Sequence, residues 1–205
     1  MKLFYTPGVC SQAPHILLNE AGLPFELVLV DKAKKTYDGG KDYLAINRNG
    51  YVPALEIEPG VVLTEGPAIM QYIADQAPDS GLAPANGTLA RYRLQSWLNF
   101  ITSEIHKGFS PLFNPKWPAE AKQLGKEQLA KRLETVEIEL GKHEFLTGNV
   151  FTAADAYLFV VTGWAGFVGL DLTPFPNLLA FRQRVAKRPA VQAALAAEGL
   201  AKHAA

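Results

Sequence analysis

The hydrophobic periodicity of this chain changes once, near residues 78–88, and that change constrains the fold more than any other feature. Before it, short β-rich runs alternate with helical patterns. After it, only the helical period is found. The stretch itself holds Pro78, Gly81, Pro84, Asn86 and Gly87, the composition of a linker. The sequence therefore divides into a small α/β domain at 1–77, a linker at 78–88 and an all-helical domain at 89–205.

In the first domain, residues 2–6 (KLFYT) predict a strand, Pro7-Gly8 a turn, and 11–21 a helix that takes Pro14 in its first turn. Residues 25–30 (FELVLV) form a second β-rich run. A polar loop at 31–40 and a short helical turn at 42–46 follow, ahead of Asn47-Arg48-Asn49-Gly50. Residues 52–57 and 61–63, joined by Glu58-Pro59-Gly60, predict an antiparallel hairpin. Residues 67–76 predict a helix with Pro67 at its first position and Ile69, Tyr72 and Ile73 on one face. The expected result is a four-stranded mixed sheet with helices packed on it.

In the second domain, residues 89–109 carry Leu94, Trp97, Leu98, Ile101 and Ile105 at helical spacing. Residues 119–145 form a charged amphipathic helix striped by Leu129, Leu133, Val136 and Leu140. Thr152 and Asp155 make a capping-box-like start to a nearly charge-free helix at 156–168, whose composition predicts burial. Residues 177–187 and 190–200 predict two last helices, parted by Arg188-Pro189.

Charge and composition exclude several functions. Twenty Lys and Arg balance 20 Asp and Glu, so no net field draws the chain to nucleic acid or to an anionic membrane. No basic cluster is interleaved with aromatics, and no apolar run is long enough to span a bilayer. The first residues lack a long apolar run of the secretory kind, and one cysteine permits no internal disulfide. Both fit a cytoplasmic protein. No spacing matches a metal site, no Gly-rich phosphate loop is present, and GxSxG does not occur.

That one cysteine, Cys10, falls where the first strand turns into the first helix. A thiol there meets unpaired N–H groups and the positive end of the helix dipole, conditions that favour thiolate. The opposing reading is a buried Cys acting as a small hydrophobe. Of the histidines, His15 reads as a packed or capping side chain, and His143 and His203 as solvated.

KLFYTPGVCS at the start, NGYVPAL at 49–55, LTEGPAIMQYIAD at 63–75 and WLNFITSEIHKGFSPLF at 97–113 resemble a cytosolic glutathione S-transferase, more narrowly the bacterial beta class. FTAADAYLF at 151–159 and RPAVQAALAAEGL at 188–200 complete the resemblance, so it covers essentially the whole chain in family order. It implies a thioredoxin-like first domain, a helical second domain, glutathione as co-substrate, no metal, and a homodimer.

It also implies site residues. Cys10 stands next to the glutathione sulfur. Val52, before a Pro53 that is cis in the family, pairs with the tripeptide backbone, and Tyr51 adjoins it. X-Pro makes a cis bond accessible at about 0.5–1 kcal/mol, although Pro53 alone also reads as a trans proline opening an edge strand. Glu65 and Gly66, at the head of the 67–76 helix, take the γ-glutamyl end; Glu65 otherwise complements the helix dipole. Many family members have a serine where this chain has Gly66. Lys35 lies near the glycyl carboxylate, with Lys34 a competing assignment. Asn99, Ser103 and His106 recur at i, i+4 and i+7 with Glu104 and Lys107 beside them, a polar stripe that in relatives faces the sulfur, or else a satisfied helix–helix seam. Phe109, Phe113, Trp164 and Phe167 are candidates for an electrophile pocket and equally for core.

The leading expectation is a glutathione transferase that conjugates the glutathione thiolate to small electrophiles, with Cys10 and His106 as the catalytic pair. A monothiol glutaredoxin-like thiol-disulfide transferase or peroxidase is the second, since Ala13 stands where a resolving cysteine would be. A non-catalytic ligand-binding protein of the same fold is the third.

Overall fold

The computed structural model describes residues 1–201 in two compact units: Met1–Ala83 joined by the segment from Ala186 onward, and Pro84–Val185. Helical period alone groups residues 186–201 with the helical domain, whereas by contacts they pack with the first unit.

The first unit is built on one sheet. β1 (Lys2–Tyr5) is followed by α1 (Gln12–Glu20) and β2 (Glu26–Asp31), and β1 pairs with β2 in parallel, Leu3 opposite Leu27. This is a right-order strand–helix–strand unit, which needs a crossover helix because parallel strands cannot be joined by a tight turn. β5 (Ala54–Glu58) pairs antiparallel with β1, and β6 (Val61–Thr64) with β5. The four expected strands are present. Two more of two residues each, β3 (Thr36–Tyr37) and β4 (Lys41–Asp42), lie within and just after the stretch read as a loop. They extend the order to β4-β3-β2-β1-β5-β6.

The polar run at 31–40 becomes partly regular because aromatic side chains anchor it. Phe4 packs edge-on to Tyr37 at 5.3 Å between centroids and against Tyr43 at 5.7 Å. Tyr43 is fully buried and its hydroxyl donates to Tyr51 O at 2.8 Å. Burying a ring of this size stabilises by about 2–3 kcal/mol. α2 (Gly66–Gln76) and α1 pack on the sheet, burying Ile69, Met70 and Ile73 with Ala13, Ile16 and Leu17.

The second unit holds α3 (Leu89–Phe100), a π-helical segment (Ile101–His106) and α4 (Lys107–Phe109), where one continuous α-helix was expected. α5 (Ala119–Leu140) buries the predicted stripe Leu129, Leu133, Val136 and Leu140. α6 (Ala153–Thr162) is buried at every residue. Its capping box closes as expected: Asp155 accepts the Thr152 N–H and hydroxyl, both at 2.8 Å, and the Leu146 N–H at 2.9 Å. The expected single helix at 156–168 breaks at Gly163-Trp164, and α7 (Ala165–Val168) follows. α8 (Pro176–Ala186) starts on Glu137 of α5, whose carboxylate takes the Asn177 and Leu178 N–H groups and so satisfies donors that a helix start leaves free.

α9 (Pro189–Ala197) returns to the first unit and packs against α1. Arg188 grips Glu20 through two hydrogen bonds of 2.5 and 2.9 Å. His203 lies outside the described residues. No helix among the described residues is long and apolar enough to cross a membrane.

Candidate active site

The site residues of the first unit gather around Val52. Its bond to Pro53 is cis. Val52 C=O accepts the Cys10 thiol at 3.3 Å, and among the described residues its N–H makes no hydrogen bond. A β-carbon at Gly66 would stand 4.0 Å from Pro53 Cγ, so the N-terminus of α2 adjoins the proline ring with room for a side chain.

Glu65 precedes that helix at φ +69°, in a region that a non-glycine residue enters only at a cost of about 1–3 kcal/mol. Its carboxylate makes no capping bond and is exposed. Glu65 therefore does not cap the helix through a hydrogen bond.

Lys35 is separated from its competitor. Its Nζ donates to Gly50 O at 2.8 Å and lies 6.0 Å from the Tyr51 ring centroid. Lys34 points away and pairs loosely with Asp31 at 3.8 Å. Tyr51 is 69% exposed while its backbone C=O is held by Tyr43 and by Asn47 Nδ2 at 2.7 Å. The 47–51 loop is thereby pinned from beneath, and its outer face is left open.

Cys10 departs from the sequence expectation. Burial of the sulfur pushes its pKa up to about 11, against the smaller lowering effects of Lys32 and of the N–H groups of Cys10 and Ser11. A helix N-terminus is worth only about 0.3–1 kcal/mol, less than desolvation of an enclosed anion. Burial thus works against a resident thiolate at Cys10 in the free protein.

The loop carrying it is held at both ends. The Ser11 hydroxyl accepts the Thr6 N–H at 3.2 Å and donates to Thr6 C=O at 3.1 Å, so it locks the strand end and does not cap α1. Glu198, just past α9, accepts the Gly8 N–H at 2.9 Å, Gln12 Nε2 at 3.0 Å and His15 Nδ1 at 2.8 Å. Its side chain and that of His15 are almost wholly buried. His15 is thus the packed residue that the sequence suggested.

In the second unit the polar stripe divides. The Ser103 hydroxyl donates to Asn99 O at 3.1 Å, and Glu104 pairs with Arg132 of α5 at 2.8 Å. Asn99, Ser103 and Lys107 are exposed. His106 turns among aromatics instead: Nδ1 lies 2.6 Å from the Tyr157 hydroxyl, and the ring sits 5.0 Å from Trp164. An α-helical i, i+4, i+7 face does not survive a π segment, whose wider turns advance less per residue. Burial, aided by Lys107, lowers the His106 pKa to about 4.

Trp164 also meets Phe109 at 5.8 Å and Phe113 at 6.1 Å. Phe109 is fully buried beneath it, Phe113 is half-exposed, and Phe167 is 79% exposed and outside the ring cluster. His143 is exposed beside Glu139.

Sequence reasoning missed Lys32, Glu198 and Tyr157. Glu198 meets its partners across more than 180 residues and left no local trace. Tyr157 did leave one: a phenol inside a charge-free buried helix needs a hydrogen-bond partner.

Comparison with known proteins gives one answer over the whole chain. "Glutathione S-transferase, N-terminal domain" matches residues 8–76 and "Glutathione S-transferase, C-terminal domain" matches residues 100–189. Glutathione S-transferase GstA of Escherichia coli O157:H7 is 50% identical over 98% of this chain and 100% of its own. A ternary complex of BphK, a bacterial glutathione S-transferase, is 56% identical with a TM-score of 0.96, covering 98% of this chain and 100% of that one. The bacterial beta-class glutathione S-transferase of Sphingomonas chungbukensis is 50% identical with a TM-score of 0.93, at the same coverage. The chain belongs to the glutathione S-transferase family, and within it is similar to the bacterial beta class.

Proposed function

We propose that this protein is a glutathione transferase. It binds glutathione, holds the tripeptide's sulfur as thiolate, and delivers it to a soft electrophile such as an activated aryl halide, an epoxide or a peroxide. The observation that carries this reading is the grouping around Val52: a thiol at 3.3 Å, a helix N-terminus against Pro53, an uncapped carboxylate on Glu65, and an ammonium held at Gly50 O.

Glutathione has a complement for each. Its γ-glutamyl carboxylate suits the free N–H groups at the head of α2, and its ammonium suits Glu65. The cysteinyl amide pairs with Val52, whose C=O keeps a second lone pair beside the Cys10 bond. The glycyl carboxylate suits Lys35, with Tyr51 as its neighbour. The sphingomonad glutathione S-transferase, 51% identical with a TM-score of 0.94, was solved complexed with glutathione, which supports the same ligand here.

The sulfur chemistry follows from protonation. With its pKa near 11, Cys10 is a neutral S–H at pH 7, a hydrogen-bond donor and not a nucleophile. Thiol-disulfide exchange requires the protein's own thiolate, so the neutral thiol favours conjugation over a monothiol redox cycle. On this reading Cys10 serves the bound sulfur as an uncharged donor, and the catalytic role that the resemblance implies for His106 is likewise that of an uncharged donor. Asn99, Ser103, Glu104 and Lys107 frame the segment that presents His106. Trp164 and Phe113, supported by Phe109, offer apolar surface to the electrophile, with Phe167 farther out. We further propose a cytoplasmic homodimer, as the resemblance implies.

Calorimetric titration of glutathione into the reduced protein tests the reading. Saturable binding near one glutathione per chain, followed by turnover of an activated aryl halide, is expected. No binding heat at millimolar glutathione at two temperatures, with no turnover, would point to a transferase fold serving as a scaffold.

A further inference from the structure

Among the described residues Tyr157 is the one polar side chain that meets His106 at hydrogen-bond distance, and it comes from the middle of α6, a helix buried throughout whose other polar side chains are Asp155 and Thr162. Its hydroxyl lies 2.6 Å from His106 Nδ1, a short contact for an O–H and a nitrogen. The imidazole is also gripped at its faces and edges: Tyr157 meets it at 86° between planes and Trp164 at 66°. The ring has one orientation, and the hydrogen bond at Nδ1 has one partner.

Two arrangements of that bond are conceivable, Nδ1–H to the phenol oxygen or the phenol O–H to a bare Nδ1. Their acid–base chemistry separates them. An imidazole nitrogen is a base with a conjugate-acid pKa near 6.5, whereas a phenol oxygen is a very weak base and its O–H a competent donor. The phenol therefore donates and the nitrogen accepts. A neutral imidazole has one N–H, so it must then reside on Nε2. Among the described residues Nε2 has no hydrogen-bond partner, nor does it appear as a sealed, unsatisfied atom, so it opens to solvent. Burial keeps the ring in the uncharged form that this argument needs.

We propose that Tyr157 is a positioning residue that fixes His106 in the Nε2–H tautomer, so that the open side of the ring always presents a donor to an anion. This rests on the proposed reading of His106 as an uncharged donor. The π segment serves the same end, since it swings His106 toward α6 while Glu104 still faces α5. Tyr157 touches no substrate in this scheme and acts through the imidazole.

Long-range proton–nitrogen correlation on protein carrying nitrogen-15 histidine reads the tautomer without any assay of activity. The His106 signal is identified as the one lost in His106→Asn. The expected wild-type spectrum shows Nδ1 as a bare, pyridine-type nitrogen and Nε2 as the protonated one. In Tyr157→Phe a mixture with the Nδ1–H form is expected, with turnover of an activated aryl halide down about fivefold and the KM for glutathione moved less than about twofold. A protonated Nδ1 in the wild type, or an unchanged tautomer in Tyr157→Phe, would overturn the proposal. A shifted tautomer with unchanged turnover would leave the role of Tyr157 intact and remove His106 from the reaction.

Discussion

Asp155 and Glu198 are both buried carboxylates that collect three hydrogen bonds, and they reach that state by opposite routes. Asp155 takes the Leu146 N–H and the N–H and hydroxyl of Thr152, all within nine residues of itself. Glu198 takes Gly8 N–H, Gln12 Nε2 and His15 Nδ1 from the far end of the chain. Asp155 secures the start of a wholly buried helix. Glu198 secures the two residues that bracket Cys10. A local acid builds the second unit, and a distant acid holds the reactive loop of the first.

The largest loss of stability is expected at Asp155. Asp155→Ala leaves three buried donors unsatisfied and is expected to cost about 3–5 kcal/mol, read as a lowered urea midpoint. Glu198→Ala exposes a similar deficit next to a part-exposed loop, so about 2–4 kcal/mol is expected. The two variants differ in a second readout. Only Glu198→Ala should speed alkylation of Cys10, because only that acid holds the Gly8–Gln12 turn.

The two acids were unequally legible for a physical reason. Thr152-Ala-Ala-Asp155 shows its capping-box spacing in the sequence itself, and the helix after it lacks charge because it is buried. Glu198 sits in AAEGL, where nothing but tertiary contact distinguishes it from a solvated glutamate. Period and turn residues showed β1, β2, the hairpin, α1 and α2. The strands β3 and β4 were hidden because the aromatics that order them, Phe4, Tyr37 and Tyr43, are scattered along the chain. The π segment was hidden because ITSEIH suits an α-helix equally well. At Cys10 the site was legible but not its charge, since helix position is local whereas desolvation depends on everything packed around the sulfur.

Acid stability sharpens the contrast further. The His106 pKa is lowered to about 4, so between the unfolded value near 6.5 and that point the unfolded chain binds more protons. Stability contributed by neutral His106 is complete above pH 6.5 and is lost as pH falls toward 4. Asp155 acts in the opposite sense. Its pKa is raised to about 6 by burial, so its ionisation above that value costs stability that is recovered as pH falls. His106→Asn should therefore flatten the acid limb of a thermal-stability profile, and Asp155→Asn should flatten the opposing trend.

Smaller effects are expected at the ligand groups themselves. Gly66→Ser places a hydroxyl where a β-carbon has 4.0 Å of clearance from Pro53, and should tighten glutathione binding by about fivefold in calorimetry. Cys10→Ala removes one neutral donor, and conjugation should fall by no more than about fivefold to tenfold.

In the proposed function the protein offers a neutral thiol and glutathione supplies the reacting thiolate. Cys10 is the one cysteine in the chain, so the rate of its alkylation by iodoacetamide as a function of pH, without glutathione, reads its ionisation directly. The expected profile rises without a plateau through pH 9, with a midpoint near the pKa of about 11. A plateau already reached at neutral pH would show a resident thiolate, contradict the claim, and make Cys10 the nucleophile of a redox cycle.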